Sequence, residues 1–246
     1  MSIKQNKKIG TAVEKEYLLD ENSPFVLTEA FRNTMTNLSF AVPAKENGEG
    51  KVICISSALS GEGKSTVSCN LAVTFAGAGN KTIIVDCDMR KPKIKTIFKL
   101  PKQKGLVDYL SGLSTEDEIL VKNVRENLDI IPTFKTAPNP VALFAGKAFN
   151  ELLDKLKKEY QYIIIDTPPV TVVSDGISVA CKTDGIALVV RPDVSDNKSI
   201  QSTIQSIEFA GINFLGFIMN GVNKKEHGKK YYKNQYYKNE YAQKEG

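Results

Sequence analysis

Ala58-Leu59-Ser60-Gly61-Glu62-Gly63-Lys64-Ser65-Thr66 follows a short run rich in β-branched residues, 52–56, and opens a helix-length segment, 64–78. A strand, a glycine-rich turn and a helix in that order bring successive backbone N–H groups onto phosphate oxygens, and the positive end of the helix dipole adds to their pull. Gly61 and Gly63 permit the tight backbone that this cradle needs. Lys64 is placed to reach the β- and γ-phosphates, and Ser65 to offer its hydroxyl to magnesium. Ser60, Glu62 and Thr66 complete the expected nucleotide-binding set. The spacing is that of a P-loop except at its first position, where Ala58 stands in place of glycine.

Outward from this stretch, apolar runs alternate with helix-length segments. The runs 52–56, 82–86, 128–132, 162–166, 185–191 and 214–220 read as strands. The segments 64–78, 140–159, 174–180 and 195–210 read as helices, with short helical pieces between 106 and 120. The alternation predicts an α/β fold: a P-loop NTPase-like, mainly parallel central sheet with helices on both faces. Four divisions follow: a flexible polar arm over 1–22, an amphipathic helix within 23–44, the P-loop domain over 45–223, and a tail over 224–246. The tail has few aliphatic residues and is expected to stay disordered, because it cannot bury enough surface to offset its ordering entropy.

Two further runs end in carboxylates, at Asp86-Cys87-Asp88 and at Asp166. A right-handed crossover sets these strands parallel to the first, so that their carboxyl ends lie beside the cradle, where ligands of open α/β sheets collect. If extended geometry continues past Asp86, Asp86 and Asp88 share one side and Cys87 points away. Asp86, Asp88 and Asp166 are therefore expected to converge with Lys64 and Ser65. Magnesium, a hard ion that keeps several waters, suits such oxygen donors, and one carboxylate can instead orient an incoming hydroxyl.

Composition narrows the class. Four cysteines are scattered without a Cys-x-x-Cys pair, which excludes a zinc ribbon or an iron–sulfur cradle and reads as buried reduced thiols. No apolar run approaches the roughly 20 residues that cross a bilayer, and the polar start lacks a signal-peptide core, so a cytoplasmic location is expected. The net charge of +5 is concentrated in the tail, whose seven lysines and three glutamates give +4. Basicity in a tail rather than a groove does not suggest nucleic acid. Five of the nine tyrosines lie in the last sixteen residues: Tyr231, Tyr232, Tyr236, Tyr237 and Tyr241.

With these motifs in hand, the chain resembles the bacterial tyrosine kinases (BY-kinases) of capsule and exopolysaccharide synthesis, specifically the cytoplasmic CpsD type that is separate from its membrane subunit. The resemblance rests on 58–65 as Walker A, on Ile84-Val85-Asp86-Cys87-Asp88-Met89-Arg90-Lys91-Pro92 as Walker A′, on Ile163-Ile164-Ile165-Asp166-Thr167-Pro168-Pro169 as Walker B, and on the tyrosine tail. It implies ATP- and Mg2+-dependent phosphorylation of protein tyrosine, with Lys64 and Ser65 at nucleotide and metal and with Asp86, Asp88 and Asp166 around the magnesium and the attacking phenol. Metal and base roles among the three stay open, and Asp86 is the first candidate for the phenolic proton. The resemblance also implies a homo-oligomeric ring in which one subunit's tail enters its neighbour's site. Its implied partners are a transmembrane chain-length regulator that recruits the kinase to the inner face of the membrane and a cognate tyrosine phosphatase.

Two departures stand out. The family's Glu-x-x-Arg-x-x-Arg helix, an oligomer contact, is matched here by Glu29 and Arg32, but its second arginine position holds Met35. Ser60 takes the place of a common proline. A partitioning or positioning ATPase of the ParA/MinD kind shares the sheet and motifs and is the alternative reading. Such proteins usually carry an early lysine where this chain has Leu59, and they generally lack a tyrosine tail. Asn220 stands where related proteins read adenine and equally reads as a turn residue before Gly221. Arg90, Lys91 and Lys93 read as phosphate contacts, partner contacts or a solvated basic loop. The unmodified tail is expected to dock in an acidic neighbouring site, and phosphorylation, at about −1.5 to −2 charges per group, reverses its sign.

Overall fold

The computed structural model describes residues 18–45 and 48–222. The five tail tyrosines lie outside the described residues. Seven strands form one sheet in the order β3-β4-β2-β5-β1-β6-β7. These are β1 (Lys51–Ser57), β2 (Thr82–Asp86), β3 (Val121–Arg125), β4 (Leu128–Ile131), β5 (Tyr162–Asp166), β6 (Gly185–Val190) and β7 (Phe214–Met219). Every pairing is parallel except β3 with β4. The mainly parallel sheet expected from the alternation of runs is therefore present.

The central strands are apolar along their whole length because both faces are covered. Side chains alternate between faces along each strand. Ile53, Ile55, Ile84 and Ile164 pack with Val67, Leu71 and Phe75 of helix α2 (Lys64–Gly77). Val52, Ile83, Val85, Ile163 and Ile165 pack on the other side, with Phe149, Leu152, Leu153 and Leu156 of α7 (Lys147–Glu159). Helices α8 (Asp175–Ala180) and α9 (Asn197–Phe209) close a third cluster around Cys54, Ile186, Leu188 and Ile207.

Several expectations are corrected. The segment 140–159 is two helices, α6 (Pro140–Ala145) and α7, because Gly146 adopts an extended conformation between them. Pieces α3 (Ile94–Ile97), α4 (Leu106–Leu110) and α5 (Glu116–Ile119) precede β3, an edge strand that was not expected. Its half-exposed, irregular sequence hides the signal, and Asn123 and Asn127 both take positive φ around the hairpin. Residues 18–22, read as part of a flexible arm, are docked: Leu19 is buried, its N–H donates to Asn70 Oδ1 at 2.7 Å, and its carbonyl accepts from Arg125 at 2.5 Å. Leu19, with both its backbone groups satisfied, and Leu18, packed against the α2 cluster, hold them. Cys54, Cys69 and Cys87 are buried free thiols, whereas Cys181 is exposed.

Helix α1 (Phe25–Ala41) occupies the region read as the amphipathic helix. Glu29 and Arg32 pair with each other at 2.6 Å on its outer side. Met35 is half-buried and packs against the α2 cluster. It faces the body of the protein, where an arginine would bury its charge. Among the described residues no helix is long and apolar enough to cross a membrane.

Candidate active site

The phosphate loop leaves the end of β1 and enters α2 with Gly61 at φ 92° and Gly63 at φ 91°, the left-handed region that glycine adopts without strain. A Cβ on Gly61 would meet open space. One on Gly63 would collide with the Asn220 amide, which donates to the Glu62 carbonyl at 2.9 Å. Asn220 therefore lies against the back of the loop rather than on the cavity wall.

Glu62 is fully buried and turned away from the cavity. Its carboxylate accepts from Leu59 N–H at 2.7 Å and from the Ser195 hydroxyl. The Ser195 oxygen in turn accepts from Arg191 N–H at 2.7 Å. Glu62 thus belongs to the nucleotide loop by its backbone, while its side chain ties that loop to the segment before α9.

On the inner side, Lys64 Nζ lies 2.7 Å from Asp88 Oδ2, 3.2 Å from Ser65 Oγ and 3.7 Å from Asp166 Oδ2. Asp86 and Asp166 are direct partners in the register of β2 and β5, which sets two buried carboxylates side by side. Ser68, one helical turn beyond Lys64, donates to Asp166 Oδ1 at 2.9 Å.

The carboxylates occupy different electrostatic positions. Burial, and then the Asp166 charge, push Asp86 well above the ordinary carboxyl range despite Lys64. Burial likewise raises Asp166, outweighing Lys64 and the hydroxyls of Ser65 and Ser68. At Asp88 burial is the largest single influence, but the Lys64 charge and hydrogen bond, with backbone N–H groups of Lys91 and Arg90, together overcome it and lower the pKa. Lys64 is buried too. Its three carboxylate neighbours nevertheless hold it protonated, above its ordinary value.

The three aspartates gather around Lys64 in unlike positions: Asp88 and Asp166 are its ion-pair partners, and Asp86 lies beside Asp166 in the strand register. Among the described residues no three acidic, histidine or cysteine side chains are arranged to close on an ion. Asp86 lies behind the cavity wall, with Oδ1 accepting from Asp88 N–H at 3.2 Å and Oδ2 from Ile94 N–H at 3.3 Å. The chain leaves the strand conformation after Asp86 and turns around the Asp88 carboxylate, which is why the two do not stay in extended register. Cys87 does point away, into the opposite core layer.

A magnesium ion needs only one or two carboxylates when waters and phosphates supply the rest. Asp166 Oδ2 is buried without a hydrogen-bond partner, with Ser65 and Asp88 around the same lysine. That orphaned oxygen and its hard neighbours fit such an ion.

The cavity, about 470 Å³, is lined by Ser60, Gly61, Gly63, Lys64, Ser65 and Thr66 on the loop side and by Asp88 across from them. Arg90, Lys91 and Lys93 also line it, so the charges on its wall are mainly basic, and apolar residues such as Ile97 and Pro169 share the wall. Sequence spacing did not reveal the partner of Arg90, which clasps Asp175 with Nε at 2.7 Å and Nη2 at 3.2 Å. This fork joins the loop after β2 to the start of α8 across 85 residues of chain. Ser68 was within reach of sequence reasoning, since it stands one turn from Lys64 on the same helix.

A family model for an AAA domain matches residues 50–210. The tyrosine-protein kinase CpsD of Streptococcus agalactiae is 37% identical over 80% of this chain and 84% of its own length. The tyrosine-protein kinase YwqD of Bacillus subtilis is 30% identical over 92% of this chain and 94% of its own length. The kinase domain of the Escherichia coli tyrosine kinase ETK superposes with a TM-score of 0.74 at 30% identity, covering 83% of this chain and 82% of that one. Sheet order, loop and carboxylates thus coincide with a likeness that spans most of the chain, and the chain belongs to the bacterial tyrosine kinases, as a protein-tyrosine kinase of the CpsD kind.

Proposed function

We propose that this kinase transfers the γ-phosphoryl group of ATP to the tyrosines of its own C-terminal cluster, Tyr231, Tyr232, Tyr236, Tyr237 and Tyr241, presented by a neighbouring subunit, and thereby regulates capsule or exopolysaccharide synthesis. The observation that carries the reading is Lys64 buried between Asp88 and Asp166 at the mouth of the phosphate loop. Magnesium, when bound, neutralises charge on the β- and γ-phosphates, and Ser65 and Asp166 would hold it, with Asp88 or Asp86 completing the acidic surround.

The transfer breaks the bond between the γ-phosphorus and the bridging oxygen and forms one to the phenolic oxygen. The phenolic proton passes to a carboxylate. Asp88 is the one on the cavity wall. While Lys64 holds it, it is a weak base. Once Lys64 turns to the phosphates, Asp88 loses the charge that keeps its pKa low, and its basicity rises as the acceptor arrives. Asp86, buried behind it with a raised pKa, remains the second candidate.

Glu29 and Arg32 on α1 are the proposed contacts of a homo-oligomeric ring. A transmembrane adaptor would bring the kinase from the cytoplasm to the membrane face, and a cognate phosphatase would reset the tail. Mass spectrometry after incubation with ATP and magnesium tests the core of this reading. Several phosphotyrosines beyond Gly228 are expected in the wild type, and almost none in Lys64→Met, Asp86→Asn or Asp88→Asn. Label from γ-phosphate released only as inorganic phosphate would overturn the reading in favour of an ATPase switch.

A further inference from the structure

The charges lining the cavity are unequally matched. Lys64 is paired with Asp88, and Arg90 with Asp175. Lys91 and Lys93 line the same cavity, are exposed, and make no hydrogen bond or ion pair through their ammonium groups among the described residues. Ile97, Pro169 and Val172, the last 61% exposed, line the same cavity. The cavity that the phosphate loop lines thus also carries apolar side chains and two unmatched cations.

We propose that Lys91 and Lys93 form a subsite for a phosphate monoester on an aromatic ring, occupied by a phosphotyrosine already made on the tail of a second copy of this chain. The inference rests on the tail being the substrate. The tail carries +4 before modification, so its first approach to two unmatched lysines is opposed. Each phosphate adds about −1.5 to −2 charges, so the first roughly halves the tail's net charge and creates a local dianion that two free lysines can pair. A tail modified once is then held at the site by ion pairs while another of its tyrosines reaches the loop. Tyr231-Tyr232-Lys233 and Tyr236-Tyr237-Lys238 repeat the acceptor at short spacing, which places such a neighbour close by. Later transfers on a tail should outpace the first by roughly fivefold, the scale of one exposed ion pair.

The test uses the full chain with ATP and magnesium, followed by intact-mass measurement when the mean is near one phosphate per chain. Unmodified and multiply phosphorylated chains with few singly modified ones are expected for the wild type. A binomial spread is expected for Lys91→Gln/Lys93→Gln, and recovery of the clustered pattern for Lys91→Arg/Lys93→Arg. Phenyl phosphate, added as a free probe, should push the wild type toward the binomial spread. A binomial wild type, or a glutamine variant that keeps the wild-type pattern, overturns the subsite. A glutamine variant whose KM for ATP rises several-fold while the pattern stays clustered assigns the lysines to the nucleotide, and also overturns it. Absence of any phosphotyrosine in the wild type would instead overturn the autophosphorylation reading beneath it.

Discussion

The two sides of the phosphate loop differ in kind. The inner side, Lys64 with Ser65, Asp88 and Asp166, holds charges that are buried yet incompletely matched, down to an orphaned oxygen on Asp166. The outer side, Glu62 with Leu59, Ser195 and Asn220, is buried and closed, with the Glu62 carboxylate and carbonyl both engaged. Neighbouring residues of one motif thus divide between chemistry and support. On the proposed mechanism the inner groups exchange partners when phosphates arrive, while the outer ones keep the loop's shape.

The largest expected effect comes from removing the inner cation. Lys64→Met should abolish tail phosphorylation and destabilise the fold by about 3–5 kcal/mol at neutral pH, the scale of stranding buried charges. The loss should shrink as pH falls, because Asp86 and Asp166, with raised pKa values, take up protons first. Urea unfolding at several pH values checks this. A pH-independent loss would mean that the carboxylates do not depend on Lys64.

Next is Gly63→Ala, whose Cβ would strike the Asn220 amide in a backbone region that L residues avoid. Nucleotide affinity should fall more than tenfold, an effect of about 1.4 kcal/mol or more. Gly61→Ala, with open space around it, should lose only the roughly 1–2 kcal/mol of left-handed strain. Adding Asn220→Ala to Gly63→Ala should restore part of the affinity. If it does not, the collision is not what limits that position.

Glu62→Ala breaks the outer brace and should cost about 1–3 kcal/mol in stability, as expected for buried donors left unpaired. Its effect on nucleotide affinity should be smaller than that of Gly63→Ala, and the ratio measures how far the loop depends on its support. Arg90→Lys removes the fork to Asp175. Because Arg90 is partly exposed, about 1 kcal/mol is expected, read as a lower kcat with KM for ATP little changed. The smallest effect on the fold belongs to Glu29→Ala with Arg32→Ala. This exposed pair should alter stability by no more than about 0.5 kcal/mol while reducing oligomer size in sedimentation.

Local sequence carries most of the fold because chain direction and strand ends are local properties. The β-branched runs, the glycines of the loop and the aspartates that end β2 and β5 already specify a parallel sheet with its phosphate site at the carboxyl edge. Ser68 follows from helical spacing alone. The antiparallel β3 was hidden because an edge strand half open to solvent needs no apolar pattern, and the docking of Leu18 and Leu19 because two adjacent residues leave no periodicity.

Tertiary structure decided which way each motif residue turns. Glu62 reads as part of a phosphate loop until Ser195 is brought behind it, and Asp86 reads as an equal of Asp88 until the chain bends and buries it under Ile94. The basic cavity mouth arises the same way, since Asp175 arrives to neutralise Arg90 and nothing among the described residues arrives for Lys91 or Lys93. Spacing along a chain fixes which residues can share an edge, whereas the partner that claims a buried charge comes from packing between segments far apart in sequence. For that reason the sequence alone determined the family and its phosphate chemistry, and only the folded arrangement separated the groups that move from those that hold them.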